Sequence, residues 1–191
     1  MEMTIADRPP LVNYGYLGAA VASVAVTGAC VAWGSIWMLT FVHLLCGLLW
    51  TGIDLFMGFV IGPIMRRIDL PARQQMVMRL MPKMLFLMPA LSIDTGTAGW
   101  YLAERLGFDR LPFPQYSWVL GSLILLAVLT LQGLGVLLPT NLLVYLELRK
   151  DRPDGARIGR LMRRYVRVVG MQGILQVVMI LVMARFGSGI G

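Results

Sequence analysis

Two side chains that can ionise lie in one apolar run, eleven residues apart. His43, the only histidine, and Asp54 both fall between Thr40 and Arg67. That run can cross a bilayer, because ~20 apolar residues at ~1.5 Å rise cover a ~30 Å hydrocarbon core. Eleven residues make three helical turns plus about 20°, so both side chains share one helix face with Gly47 and Trp50. Polar side chains in spanning helices usually face the bundle interior and mark functional sites.

His43 is the candidate metal ligand, because neutral imidazole binds haem iron or copper well. The alternative interpretation is a ring that only donates a hydrogen bond to a neighbouring carbonyl group. Since the chain has one histidine, a haem would take its sixth ligand from a methionine or a partner's histidine, or stay five-coordinate. Gly47 and Trp50 are the candidate cofactor-binding neighbours: the glycine lets a flat macrocycle approach the helix, and the indole excludes water.

Asp94 is a second carboxylate in an apolar run. Asp54 is nine residues, roughly 13 Å, from the predicted span end at Pro63. Asp94 is ten residues, roughly 15 Å, from the span end at Met84. Antiparallel helices would place the two acids at one level, as candidate catalytic residues that share a proton in a relay. Alternatively, each acid is neutral and hydrogen-bonded to a threonine or a glutamine. Three glutamines are predicted to join a polar cluster at this depth: Gln132, Gln172 and Gln176.

The composition excludes an ordinary soluble domain. Hydrophobic residues make up 58% of the 191 residues and charged residues only 14%, against about a quarter charged in soluble domains. The net charge of +7 does not indicate nucleic acid, because the charges are concentrated at two places. Of the 17 Lys and Arg residues, five lie in Arg66–Lys83 and eight in Arg149–Arg167, between apolar spans. We therefore predict an all-α integral membrane protein surrounded by lipid, with no nucleic-acid partner.

Five spans are predicted in a single membrane domain, at about 14–33, 36–63, 84–102, 116–138 and 168–186. Only Gly34 and Ser35 separate the first two spans, so the turn between them must be tight. Both basic segments are predicted as loops, and the arginines of the second repeat at helical spacing and are expected at the lipid headgroups. Pro71 and Pro82 are expected to interrupt the first of these loops, and Pro139 to kink the fourth span.

The charge distribution predicts the topology. With the amino terminus inside, the inner segments hold 14 Lys and Arg residues, counting Arg8, and the outer segments hold three. Positive residues accumulate on the cytoplasmic side. The prediction is a multi-pass protein of the bacterial inner membrane, with a cytoplasmic amino terminus and a carboxyl terminus outside.

Five methionines crowd one segment, and thioether sulfur suits copper(I). Methionine is also an adaptable packing residue, so a packing role is the alternative. The five are Met76, Met78, Met81, Met84 and Met88.

Several short motifs carry a family resemblance. The run H-L-L-C-G-L-L-W-T-G at His43–Gly52, with M-P-A at Met88–Ala90 and T-G at Thr95, resembles the CopD-type copper-resistance membrane proteins. The run R-L-M-P-K-M-L-F-L-M-P-A at Arg79–Ala90 is similar to the HemJ-type protoporphyrinogen oxidases. The resemblance covers Trp37 to about Phe186.

That resemblance implies a four-helix core, with the first span as an extra helix, and His43 as an axial ligand of haem b. The lysine that the HemJ type uses would fall near Gly121 or Ser122, and this chain has none there.

Three functional classes follow. The first is a haem-binding membrane redox protein, either a HemJ-like oxidase or an electron-transfer subunit, working as a homo-oligomer or in a larger membrane complex. The second is a CopD-like copper carrier. The third is an accessory subunit without a cofactor. We favour the haem interpretation.

Overall fold

The computed structural model describes residues 13–150 and 152–189, which form helices and no strand. Five helices are long and apolar enough to cross a membrane. They are α1 (Tyr14–Trp33), α2 (Ile36–Arg67), α3 (Leu70–Arg105), α4 (Tyr116–Leu148) and α5 (Gly155–Gly187). The predicted fold class, an all-α membrane protein with five spans, is confirmed. Arg8, which was counted in the topology, lies outside the described residues.

Helices α2 to α5 form a four-helix bundle. Each packs against two others, in the order α2, α3, α4, α5 and back to α2, and α1 lies outside the bundle against α3. Large apolar side chains face outward on all five helices, as lipid contact requires. Examples are Val21, Leu48, Ile93, Leu131 and Leu181.

The two ends of the bundle differ in charge. At the basic end, α2 finishes with Arg66 and Arg67 and α3 begins. At the opposite end, called the far end here, the α1–α2 turn consists of Gly34 and Ser35, as predicted. The guanidinium group of Arg105 donates hydrogen bonds to the carbonyl groups of Val31 and Gly34 and ties the end of α3 to this turn.

The basic segments that were predicted as loops are largely helical. Short polar side chains cap the helix starts and make this possible: Asp69 Oδ1 accepts from the Ala72 amide (3.3 Å), and Asp154 Oδ1 from the Ala156 amide (2.9 Å). The predicted spans 36–63, 84–102, 116–138 and 168–186 are all too short at the basic end. The ammonium group of Lys83 lies 5.9 Å from the Tyr16 ring centroid. About 20 Å of α3 therefore extends past the start of α1.

Prolines do not interrupt α3. Pro71 lies in its first turn, where the missing N–H is not needed. Pro82 and Pro89 lie inside the helix, so the predicted break at Pro82 is wrong. Neighbouring helices compensate for the carbonyl groups that interior prolines leave unbonded, which is why membrane helices tolerate them.

Two π-helical segments interrupt the bundle helices instead. They span Phe56–Ile61 in α2 and Gly133–Leu137 in α4, and each ends two residues before a proline, Pro63 or Pro139. The irregularity predicted at Pro139 therefore takes the form of a π-helical segment just before it. The hairpins α2–α3 and α4–α5 share this plan.

Candidate functional site

His43 is held against α3 near the far end. Its Nδ1 lies 2.9 Å from the carbonyl oxygen of Thr95. Because a carbonyl oxygen can only accept, Nδ1 carries the proton, and in the neutral ring Nε2 then keeps its lone pair. The ring occupies the space left by the missing side chain of Gly99, where an added Cβ would lie 2.7 Å from His43 Cε1. The imidazole is thus fixed in one tautomer and one place.

Asp94 precedes the residue that accepts from His43. Its side chain is 0% exposed, and neither carboxylate oxygen has a hydrogen-bond partner among the described residues. It lies close enough to Cys46, in α2, for the two groups to interact electrostatically. Buried polar groups without a hydrogen-bond partner are rare and cost free energy.

Gly47 and Trp50 face the bundle interior, as the helical spacing predicts. A Cβ at Gly47 would lie 3.4 Å from Thr95 Cγ2, so this glycine allows α2 and α3 to pack closely. Trp50 is buried against Leu91 and Leu129. Both residues have a packing role in the structure, and their contact with a cofactor stays a prediction.

Asp54 and Asp94 lie at different levels, so the prediction of one shared level is wrong. Gly47 faces Thr95, and Trp50 packs on Leu91. This antiparallel register puts Asp94 beside Gly47, about seven residues or roughly 10 Å from Asp54 along the helix axis. Pro63 and Met84 do not mark equal depths, because neither residue ends its helix.

Asp54 instead meets α5. Its side chain is 1% exposed, and its Oδ2 accepts a hydrogen bond from Gln172 Nε2 (2.8 Å). Gln176, one turn further along α5, lies beside the same carboxylate but makes no hydrogen bond of normal geometry. The predicted contact between an acid and a glutamine is confirmed for Gln172. Gln132 lies just before the π-helical segment of α4, and its Oε1 is buried without a partner among the described residues.

Glycines bring α2 and α5 together at this point. A Cβ at Gly58 would lie 2.9 Å from Gly170 Cα, and a Cβ at Gly173 would lie 2.8 Å from Leu55 Cδ2. Such close backbone contact is typical of small residues in membrane helices. It places Asp54 one turn from the crossing, within reach of the amides of α5.

Two further polar residues extend this region toward the basic end. Tyr165 is buried in α5, its hydroxyl lies beside the amide of Asn141 in α4, and it is near enough to Asp54 to interact electrostatically. Sequence analysis missed both residues, because a tyrosine and an asparagine near basic segments are typical of the membrane interface. We call Asp54, Asn141, Tyr165, Gln172 and Gln176 the Asp54 cluster.

The methionines pack into apolar clusters. Met78 and Met81 are buried at the basic end with Met65, Tyr145 and Ile158, with Met76 beside them. Met88 packs near Trp50. Within the described residues, no group of three or more His, Cys, Asp or Glu side chains could hold a metal ion.

The fold and these two polar regions define a polytopic helical membrane protein with ionisable groups in its interior. No protein-family profile, curated protein or solved structure matches the chain. The resemblance to CopD-type and HemJ-type proteins therefore stays a prediction.

Proposed function

We propose that this chain is a membrane-embedded redox protein that binds haem b through His43. The supporting observation is the bond from Nδ1–H to the Thr95 carbonyl oxygen, which leaves Nε2 as a ligand atom. Metal-bound histidines usually donate their other N–H to a carbonyl or carboxylate group, which orients the ring and raises its basicity. The absence of a side chain at Gly99 lets the ring pack against α3. The residues present therefore fit a histidine that would hold haem iron.

Bound haem would supply one-electron transfer. His43 would hold the iron, while the Thr95 carbonyl group keeps the ring in place. Asp94, adjacent in sequence and without a hydrogen-bond partner among the described residues, would hold the proton that balances an added electron. Trp50 would exclude water from the interior side. Asp54 would act as a second, separate acid rather than share a proton with Asp94.

A further protein ligand to the iron would be a methionine of this chain or a histidine from outside it, since the chain has no other histidine. Such a histidine would come from a second copy of the protein or from a larger membrane redox complex. The positive charge at the basic end supports an inner-membrane location with that end in the cytoplasm.

The test is the spectrum of the protein purified in mild detergent. We expect a haem b signature in the reduced-minus-oxidised difference spectrum, and we expect His43→Ala to abolish it while the protein stays inserted and folded. Gly96→Ala is the matched control, because its Cβ would lie 3.9 Å from Leu126, an ordinary contact. Bound copper without haem would favour the copper carrier. If the purified protein holds neither haem nor copper, or if His43→Ala keeps its full haem content, the proposal is wrong. The accessory-subunit interpretation then replaces it.

A further inference from the structure

The Asp54 carboxylate has no positively charged partner among the described residues. Its carboxylate is buried in the middle of an apolar bundle. Among the described residues, ion pairs to acidic side chains involve only Asp109 and Glu147. His43 is three turns away along α2. A bare carboxylate is costly in such a place, so it must be neutralised by a proton or a bound cation.

The surrounding side chains offer oxygen atoms in excess. Gln172 uses its Nε2 to bond Asp54. Three amide oxygens and one amide nitrogen have no hydrogen-bond partner among the described residues, and their side chains are 5% exposed or less: Asn141 Oδ1, Gln172 Oε1, Gln176 Oε1 and Gln176 Nε2. Buried polar groups in native proteins are nearly always satisfied. Carboxylate and amide oxygens are the ligands that hard cations prefer.

The charge of the cluster limits the occupant. One carboxylate balances one positive charge, whereas divalent cations in proteins are usually held by more acidic ligands. The Asp54 cluster contains no second acid, since Asp94 lies near Cys46 instead. A monovalent cation therefore matches the site.

The cluster also reaches toward one end of the bundle. Tyr165 lies two turns, roughly 10 Å, from Gln172 toward the basic end, beside Asn141 of α4. The π-helical segment of α2 begins two residues after Asp54, and such segments are frequent at functional sites.

We propose that the Asp54 cluster binds one exchangeable monovalent cation, a proton or Na⁺, between the Asp54 carboxylate and the amide oxygens of α5. The site is separate from His43, and the proposal does not depend on haem binding. Tyr165 and Asn141 connect it to the basic end.

The experiment is thermal unfolding of the full chain in detergent at constant ionic strength, with NaCl replaced stepwise by choline chloride and repeated across pH. A ligand that binds only the folded state raises the unfolding temperature with a saturable dependence. Na⁺ dependence at fixed pH identifies Na⁺. Stability that falls as the pH rises, without Na⁺ dependence, identifies a proton.

Variants separate the cluster from the rest of the protein. Asp54→Asn should remove the dependence, and the control Gly96→Ala, whose added Cβ makes only an ordinary contact with Leu126, should keep it. Gln176→Leu should raise the half-saturating Na⁺ concentration about tenfold, because the cation would lose one amide oxygen ligand. If Asp54→Asn does not fold, two other measurements test the proposal. They are the response of Gln176→Leu and the infrared carbonyl band of a protonated acid in the wild type. Absence of both dependences in the wild type, or their persistence in Asp54→Asn, overturns the proposal.

Discussion

The His43 site at the far end and the Asp54 cluster each place an ionisable side chain of α2 inside an apolar bundle, but different partners hold the two. His43 donates to a backbone carbonyl group of α3, which cannot rotate away. Asp54 accepts from a side-chain amide of α5, which can reorient. A ring fixed by backbone presents its remaining nitrogen in one direction, as a cofactor ligand must. A carboxylate surrounded by side-chain amides can change its contacts when the proposed cation binds and leaves.

The largest effect should come from separating α2 and α5 at their crossing. In Gly58→Leu the new side chain would overlap Gly170, whose Cα would lie 2.9 Å from the added Cβ. We expect a loss of about 3 kcal/mol in the free energy of unfolding, measured by unfolding in detergent, together with loss of the cation response. Gly52→Leu is the control, because nothing lies within 4 Å of its Cβ and the residue is exposed. Equal losses in both variants would show that the crossing is not what holds the cluster.

A smaller effect is expected at the far end. Gly99→Ala puts a methyl group 2.8 Å from His43 Nδ1, so the ring must move and its bond to Thr95 weakens. We expect a loss of about 1–2 kcal/mol and a lower haem content per protein, read from the spectrum. Gly96→Ala should leave both unchanged or stabilise slightly, because alanine favours helix over glycine. A Gly99→Ala protein with wild-type stability and spectrum would contradict the packing of the imidazole ring against Gly99.

A double-mutant cycle tests whether the two regions are independent. Asp54→Asn and Asp94→Asn should be additive in free energy of unfolding to within about 0.5 kcal/mol, as expected for separated sites without shared partners. Acids that share a proton would couple by about 1 kcal/mol or more. Strong coupling would restore the paired relay that the sequence suggested.

The smallest effect lies outside both regions, at the start of α5. The backbone N–H of Arg157, above all, and that of Ala156 hold the pKa of Asp154 below its ordinary value of 3.8. Because the folded pKa is the lower one, this carboxylate stabilises the fold above its unfolded pKa, and the contribution is lost as pH falls through the folded pKa. Asp154→Ala should slightly lower the unfolding temperature at neutral pH and flatten its decline below about pH 4. If the unfolding temperature of Asp154→Ala declines at acid pH as it does in the wild type, Asp154 does not stabilise the start of α5.

Much of this architecture follows from the sequence. Helical spacing alone turns His43 and Asp54 inward, and apolar length gives the five spans. The chain does not reveal where α2 and α3 stop at the basic end, because Asp69 caps a helix inside a charged segment. The register between the helices is set by close contacts such as His43 with Gly99, which only the folded structure contains. One readable signal was missed: Gly58 and Gly62 are spaced for close helix contact, and they mark the α2–α5 crossing.

The two-residue turn between α1 and α2 has a consequence for how the chain enters the membrane. Gly34 and Ser35 carry no charge, and the nearest basic residue at that end, Arg105, arrives only with α3. The first two helices can therefore insert together as a hairpin without moving a charged loop across the lipid. The hydrogen bonds from Arg105 to Val31 and Gly34 can form only when α3 lies beside this turn.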